Sequence, residues 1–475
     1  MTDKFDLVVI GGGVGGLVTS SVAAQLGLKV ALIERDDNLG GDCLHYGCVP
    51  SKTLIRSAEV AHLAGEAKRY GVDASSGATD LGKVMDRVAE VVAGIQKHDD
   101  PDRFRSYGVD VIFGEGRFVD AHTVAVGDRR LYGRRILIAT GSRPAVPPVP
   151  GLAEADYWTN ETVFQQRELP ERLAVLGGGP IGLELAQSFS RLGSQVAVIE
   201  MADRILPRED PEITAELARL LADEGLDIRT GTAVTAVEGH DGGYRLTCRR
   251  GDADQHLDVY RILVAAGRQP NTDTLALENA GIEVDKSGIT VDARMRTSVK
   301  HIFAVGDVCG PYPFTHVAEY QAGVVIANVV FKLPKRANYR VMPWVTYTAP
   351  ELAHVGMTEE AARAAGHHQV EVARFRFSDV DRALAEGSTG GLLKLVVHRK
   401  RILGATVLGP HGGELIHELV LAMQAGVKIG HLSGAVHAYP TLAQIHRRAV
   451  NTLYADKLYS PGTRRLVGWL HRLLP

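Results

Sequence analysis

Sulfur is scarce in this chain. Its four cysteines, Cys43, Cys48, Cys248 and Cys309, are spread over 475 residues, and a protein this long can build cores without disulfide staples. Only Cys43 and Cys48 lie close together. No second CxxC or HxxxH element accompanies them, which argues against zinc and leaves no metal ligand set to name. An excess of one charge is also lacking. The formal net charge is -3, with both signs interspersed, and this argues against nucleic acid as a partner. No apolar run is long enough to span a bilayer, so no transmembrane segment is expected. The opening MTDKFDLVVIGGG carries an acid and turns glycine-rich after one strand, unlike a signal peptide. A cytoplasmic, reducing location is the expectation, and a close dithiol there is catalytic.

Glycine is abundant, with 52 residues clustered in a few loops. Phe5 to Ile10 reads as a short buried strand running into Gly11, Gly13 and Gly16, a GxGxxG pattern. Leu17 to Leu26 continue as a helix, and a second strand, Lys29 to Ile33, ends in Glu34. The first glycine permits a tight turn, the second lets backbone approach a pyrophosphate, and the third allows helix-on-strand packing. The helix N-terminus faces the phosphates, and Glu34 stands where a carboxylate accepts from a ribose hydroxyl. The arrangement recurs at Leu173 to Glu200, with Gly177, Gly179 and Gly182. From first glycine to acid the interval is 23 residues in both copies. One such turn is weak evidence; two in register are strong.

The stretch GGDCLHYGCVPSK, from Gly40 to Lys52, sets Cys43 and Cys48 five positions apart. On a regular helix their side chains would point about 140° apart, and a disulfide needs converging Cβ vectors. Bridging them requires a distorted first turn, which Gly47 tolerates. Two dinucleotide sites plus a dithiol give an electron path of nicotinamide, flavin and disulfide. The first site is expected to hold FAD and the second the nicotinamide. Glu200 favours NADH by accepting from a free 2′-hydroxyl and repelling a 2′-phosphate; Arg204 nearby softens that preference and leaves NADPH open. Cys248 and Cys309 read as small buried hydrophobes.

These residues resemble the class I pyridine nucleotide-disulfide oxidoreductases, the family of dihydrolipoamide dehydrogenase, glutathione reductase and mercuric reductase. The family pattern is close to GGTCxNxGCxPSK. ATGSRP (Ala139 to Pro144), GRQPN (Gly267 to Asn271), FAVGDVCG (Phe303 to Gly310) and the segment from Tyr347 carry the similarity over the whole chain. The resemblance implies an interchange thiol at Cys43 and a charge-transfer thiol at Cys48. Lys52 would sit near flavin N5, paired with Glu184. Asp307 would bind the ribityl chain, Thr315 and His316 would lie near the flavin pyrimidine, and Gly41, Thr140, Gly141, Gly267 and Arg268 would complete the cofactor contacts.

The fold expected is α/β, with two doubly wound Rossmann-like dinucleotide domains and a C-terminal α+β dimerisation domain. FAD would be bound by residues 1–150 and 272–342, the nicotinamide by 151–271, and a homodimer interface would form over 343–475. The chain departs from its relatives in VHAYPTLAQIHRR. Tyr439 stands where the family's HPTxxE motif has its acid/base histidine, and Gln444 where it has the glutamate. A tyrosine is a poor base at neutral pH. His437 would point to the same side as Tyr439 in an extended segment, and His45 is a second base candidate; His417 and His446 read as ordinary helix residues. The leading reading is an NADH-dependent, dihydrolipoamide dehydrogenase-like flavoprotein acting on a thiol or disulfide substrate. The alternatives are a mercuric reductase-like enzyme or an NADH:quinone or oxygen reductase without thiol exchange, and a flavin-loaded redox sensor. Against mercury stands the absence of cysteine after Cys309. The basic amphipathic tail, Arg464 to Leu474, is expected to pack on the dimer, with a peripheral membrane or partner contact as the other reading.

Overall fold

The computed structural model describes residues 2–74 and 77–473; Leu474 of the tail lies outside them. The chain divides into two compact units, Met1–Ile199 with Thr232–Asn338, and Glu200–Gly231 with Tyr339–Pro475.

In the first unit, strand β1 (Thr2–Ile10) lies between β2 (Val30–Glu34) and β4 (Arg129–Ile138), with β3 (Val109–Phe113) outside β2, all in parallel. The register sets Val9 opposite Leu32 on one side and Leu137 on the other. Leu7, Val8 and Val9 are fully buried, because a parallel strand covered on both faces is apolar in continuous run rather than in alternation. Each such side chain contributes about 1.5–3 kcal/mol on burial. Helix α1 (Val14–Gln25) buries small residues, among them Gly15, Gly16, Ser20 and Ala23. A Cβ on Gly15 would meet Val305 Cγ2 at 2.8 Å, so bulk is excluded there.

After α2 (Gly41–His45) and α3 (Cys48–Gly65) the motif repeats. Strand β5 (Arg172–Leu176), helix α4 (Pro180–Leu192) and strand β6 (Gln195–Ile199) form a second βαβ unit, and β7 (Arg261–Val264) pairs with β5 in parallel. A three-stranded antiparallel meander, Ala233–His240, Gly243–Arg250 and Ala253–Val259, precedes β7. The chain returns to the first sheet through β8 (Ile302–Ala304), parallel to β4, and then forms α5 (Thr315–Val329), which packs on α1. The doubly wound parallel sheets expected from the two glycine turns are present.

The second unit carries an antiparallel sheet. Its strands β9 (Pro343–Thr346), β10 (Glu351–Gly356), β11 (Val370–Arg376), β12 (Leu392–His398) and β13 (Arg401–Gly409) run in the order β9-β10-β13-β12-β11. Helices α6 (Gly412–Gln424) and α7 (Gln444–Leu458) pack on it, and α8 (Pro461–Leu473) follows. This is the α+β architecture expected. Within it Lys394, its side chain 5% exposed, reaches Asp210 at 2.8 Å, Glu212 at 3.0 Å and Glu359 at 3.2 Å. Asp210 also caps the helix Pro211–Asp223 by accepting from Glu212 N. A buried ammonium requires such partners.

Candidate active site

Cys43 lies within α2, and Cys48 is the first residue of α3. Between the two helices Gly47 adopts a non-helical conformation, φ -122°, ψ -116°. A Cβ there would meet Asp42 O at 2.9 Å and Cys43 Cα at 3.3 Å. The distortion expected between the cysteines is a full break, and glycine is needed for close approach. The two sulfurs are hydrogen-bonded to each other, and Thr315 Oγ1, at the start of α5, stands 3.6 Å from Cys48 Sγ.

The pair is electrically unequal. Sharing its proton with Cys48, together with burial, pushes the Cys43 thiol far up. The hydrogen bond from Cys43 brings Cys48 down to about 6 against the effect of burial, and the Lys52 ammonium adds to the lowering. Position at a helix N-terminus acts in the same direction. Both shifts act in the direction that favours the proton on Cys43 and the thiolate on Cys48. Lys52, one turn further along α3, is fixed by Glu184 of α4 at 2.8 Å, the carboxylate side chain being only 6% exposed.

Beside the dithiol runs a polar chain that sequence reading missed in part. Arg268 contacts Asp42 Oδ1 at 3.0 Å and donates to Ser142 Oγ at 2.7 Å, and Ser142 donates to Asp307 at 2.7 Å. Burial raises the Asp307 carboxyl above its ordinary value. Asn160 donates to Asp42 Oδ1 and to Tyr46 O. Thr140 and Asn271 exchange hydrogen bonds, which tie the loop with Gly141 to the one after Gly267. His316 stacks on Phe314. The available signal was Asp42 itself, standing where the family pattern has threonine.

The two glycine turns are built alike. Gly11 and Gly177 have φ of +108° and +115°, and a Cβ on them would meet Ala139 O at 2.3 Å and Ala265 O at 2.4 Å. A Cβ on Gly16 or Gly182 would meet the carbonyl of its own first glycine at 1.9 and 2.0 Å. The middle glycines differ: around Gly179 no atom lies within 4 Å of such a Cβ, and around Gly13 only Gly41 Cα does, at 4.0 Å. First and third positions are glycine for the protein's own packing, whereas the second leaves a cradle open, as a pyrophosphate needs. Glu34 accepts from Gly12 N at 2.6 Å, holding the acid against the first turn. Glu200 accepts from Ala202 N at 2.7 Å. These residues fit FAD and a nicotinamide dinucleotide.

In the second unit, Tyr439 is 70% exposed. His437 is nearly buried, its Nε2 3.1 Å from Glu418 Oε1 and its Nδ1 3.3 Å from Ala435 O. Glu418, on α6, also takes His446 Nδ1 of α7 at 2.6 Å. Burial opposes the charge of Glu418, but the two imidazoles hold its carboxyl below the ordinary value. The donor atoms of this triad lie within 4.8 Å of one another, a metal-capable grouping that sequence reading did not name. His446, fully buried, is thus more than an ordinary helix residue. Gln444 Oε1 is buried without a hydrogen-bond partner. His45 spends its Nε2 on Leu39 O at 3.0 Å. Cys248 and Cys309 are buried, the latter with its thiol pushed up to about 12 by burial.

Residues 5–322 match the pyridine nucleotide-disulphide oxidoreductase profile, and residues 342–450 match that family's dimerisation domain. The chain belongs to this family. It is 35% identical over 455 residues to the mercuric reductase of Staphylococcus aureus, covering 95% of this chain and 83% of the relative. It is 38% identical over 469 residues to the dihydrolipoyl dehydrogenase of Thermus scotoductus, covering 96% and 98%. Among solved structures, the HOCl-induced flavoprotein disulfide reductase RclA of Escherichia coli, also solved as a Cu(II) complex, superposes with a TM-score of 0.85 at 31% identity, over 94% of this chain and 99% of that one. As a pyridine nucleotide-disulphide oxidoreductase the protein is an enzyme using FAD and NAD(P)H, and it carries the family's dimerisation domain. No helix among the described residues is long and apolar enough to cross a membrane.

Proposed function

We propose that the protein is an NADH-preferring disulfide reductase working through Cys43 and Cys48, with the flavin held by 1–150 and 272–342 and the nicotinamide by 151–271. The observation that carries this reading is the placement of Cys43 and Cys48 on either side of the helix break at Gly47, with Thr315 Oγ1 3.6 Å from Cys48 Sγ and the Lys52–Glu184 pair one helical turn away. FAD, when bound, supplies transfer of the two electrons of NADH to the Cys43–Cys48 disulfide. Gly11, Gly13, Gly16, Glu34, Gly41, Thr140, Gly141, Asp307, Thr315 and His316 would hold it; Gly177, Gly179, Gly182, Glu200, Gly267 and Arg268 would serve the nicotinamide side and the loops joining the two. The Cys43 sulfur, on losing its proton, attacks the substrate disulfide and releases one thiol. Cys48 thiolate then attacks Cys43 in the mixed disulfide, releases the second thiol and restores the internal bond. In sum NADH, a proton and one disulfide give NAD⁺ and two thiols.

Tyr439 and Gln444 leave the proton of Cys43 without an imidazole–carboxylate dyad. His437, tied to Glu418, is a positioning residue that clamps the segment presenting Tyr439, and proton transfer to the leaving thiol falls to solvent. Restoring the dyad with Tyr439→His and Gln444→Glu is expected to raise disulfide turnover by about 10²-fold, the lower range for a positioned acid/base. Unchanged turnover would count against a missing base as the limit. A second reading, supported by the exposed Tyr439 and by the mercuric reductase relatives, replaces the disulfide with a soft metal ion or a quinone. Screening lipoamide, small disulfides, quinones, Hg²⁺ and Cu²⁺ with wild type and Cys43→Ser separates them. Disulfide turnover abolished in the variant supports the first; a quinone rate that survives it, with no disulfide ever turned over, supports the second.

A further inference from the structure

Helix α8 lies beyond the dimerisation-domain match, which ends at residue 450, and it buries none of its residues. Leu466, Val467, Trp469, Leu470 and Leu473 are between 37% and 59% exposed. At about 100° per residue they share one arc of about 160°, while Arg464, Arg465, His471 and Arg472 share the opposite arc. Trp469 stands at the edge of the apolar arc. No acidic residue follows Asp456.

We propose that α8 is an interfacial anchor that lies in the surface of a bilayer containing anionic lipid. Its 13 residues extend about 20 Å, too short for a hydrocarbon core of about 30 Å. Three arginines forbid burial of the whole helix, so it lies in the plane with its apolar arc among the acyl chains. Charge selects the occupant: every charged residue on the polar arc, Arg464, Arg465 and Arg472, is cationic and complements lipid phosphate.

The test is co-sedimentation of the FAD-loaded enzyme with phosphatidylcholine vesicles, with and without phosphatidylglycerol as the anionic lipid that supplies a negative surface potential. Binding is expected on the anionic vesicles only, to weaken with salt, and to bring a blue shift of emission that Trp469→Phe removes. Each basic residue near such a surface strengthens association about fivefold, so reversing Arg464, Arg465 and Arg472 to Glu should weaken it by at least about a hundredfold, with NADH-dependent turnover unchanged. A chain ending at Ser460 should not bind. Absence of binding to anionic vesicles, equal binding by the shortened chain, or a fall in oligomer mass when the helix is removed would each overturn the proposal; the last would assign the apolar arc to a second copy.

Discussion

Lys52→Met tests the electrostatics of the dithiol most directly. Cys48 and Lys52 are four residues apart on α3, which places their side chains on one face, about 6 Å from each other. Across that distance the attraction of a thiolate and an ammonium is about 3 kcal/mol at an effective dielectric of 20 and about 0.7 kcal/mol in water. The Lys52 side chain is 33% exposed, and Glu184 at 2.8 Å cancels part of its field, so the lower third of that range applies. This amounts to a shift of about 0.5–1 pH unit. A thiolate exists above its pKa; with Cys48 at about 6, the thiolate–flavin charge-transfer absorbance of the two-electron-reduced enzyme should be full at neutral pH and fade through pH 6. An ordinary cysteine would lose it near pH 8.5.

The assay is anaerobic reduction with one equivalent of NADH followed by a pH titration of that band, with flavin content checked for each variant. Lys52→Met should move the midpoint up by about 0.5–1 unit. Glu184→Gln should move it down, because the carboxylate opposes the thiolate and its removal leaves the ammonium unneutralised. Opposite signs are the signature of the argument. If both variants move the midpoint the same way, or Lys52→Met leaves it in place with the band intact, the Lys52–Glu184 pair does not tune Cys48.

Other outcomes can be checked independently. Gly47→Ala places a Cβ 2.9 Å from Asp42 O and should force α2 and α3 apart; the overpacking cost of about 1–3 kcal/mol should appear as slower closure of the disulfide in thiol titrations after oxidation. Gly179→Leu should raise the KM for NADH at least about tenfold with little change in melting temperature, since its surroundings are open to a side chain and, on the proposed role of this turn, would be taken up by the dinucleotide. Gly182→Ala should instead fail to accumulate as folded protein, because its Cβ would lie 2.0 Å from Gly177 O. Lys394→Met leaves Asp210, Glu212 and Glu359 facing one another and should destabilise the second unit by about 3–5 kcal/mol, read from the denaturant midpoint.

What could be read from the chain, and what could not, divides along the range of the interactions. The glycine turns were legible because their constraints are local. Gly16 and Gly182 must be bare to clear a carbonyl five residues back, and that demand writes a fixed spacing into the sequence. The break at Gly47 is of the same kind, imposed by Asp42 and Cys43 a few positions away. Glu418 left no such mark. Its partners His437 and His446 are 19 and 28 residues off on other elements, and a carboxylate on an amphipathic helix looks identical whether it meets water or two imidazoles. Arg268 is intermediate: its motif was recognisable, but its salt bridge to Asp42 joins segments more than 200 positions apart and becomes visible only in the fold. Departures from a family pattern are therefore the best sequence signal for such long-range contacts. Asp42 in place of threonine has Arg268 and Asn160 as its partners. By the same logic Tyr439 and Gln444 depart from the family pattern together; on the proposal that they replace an acid/base pair, neither Tyr439→His nor Gln444→Glu alone should raise disulfide turnover as the double variant does.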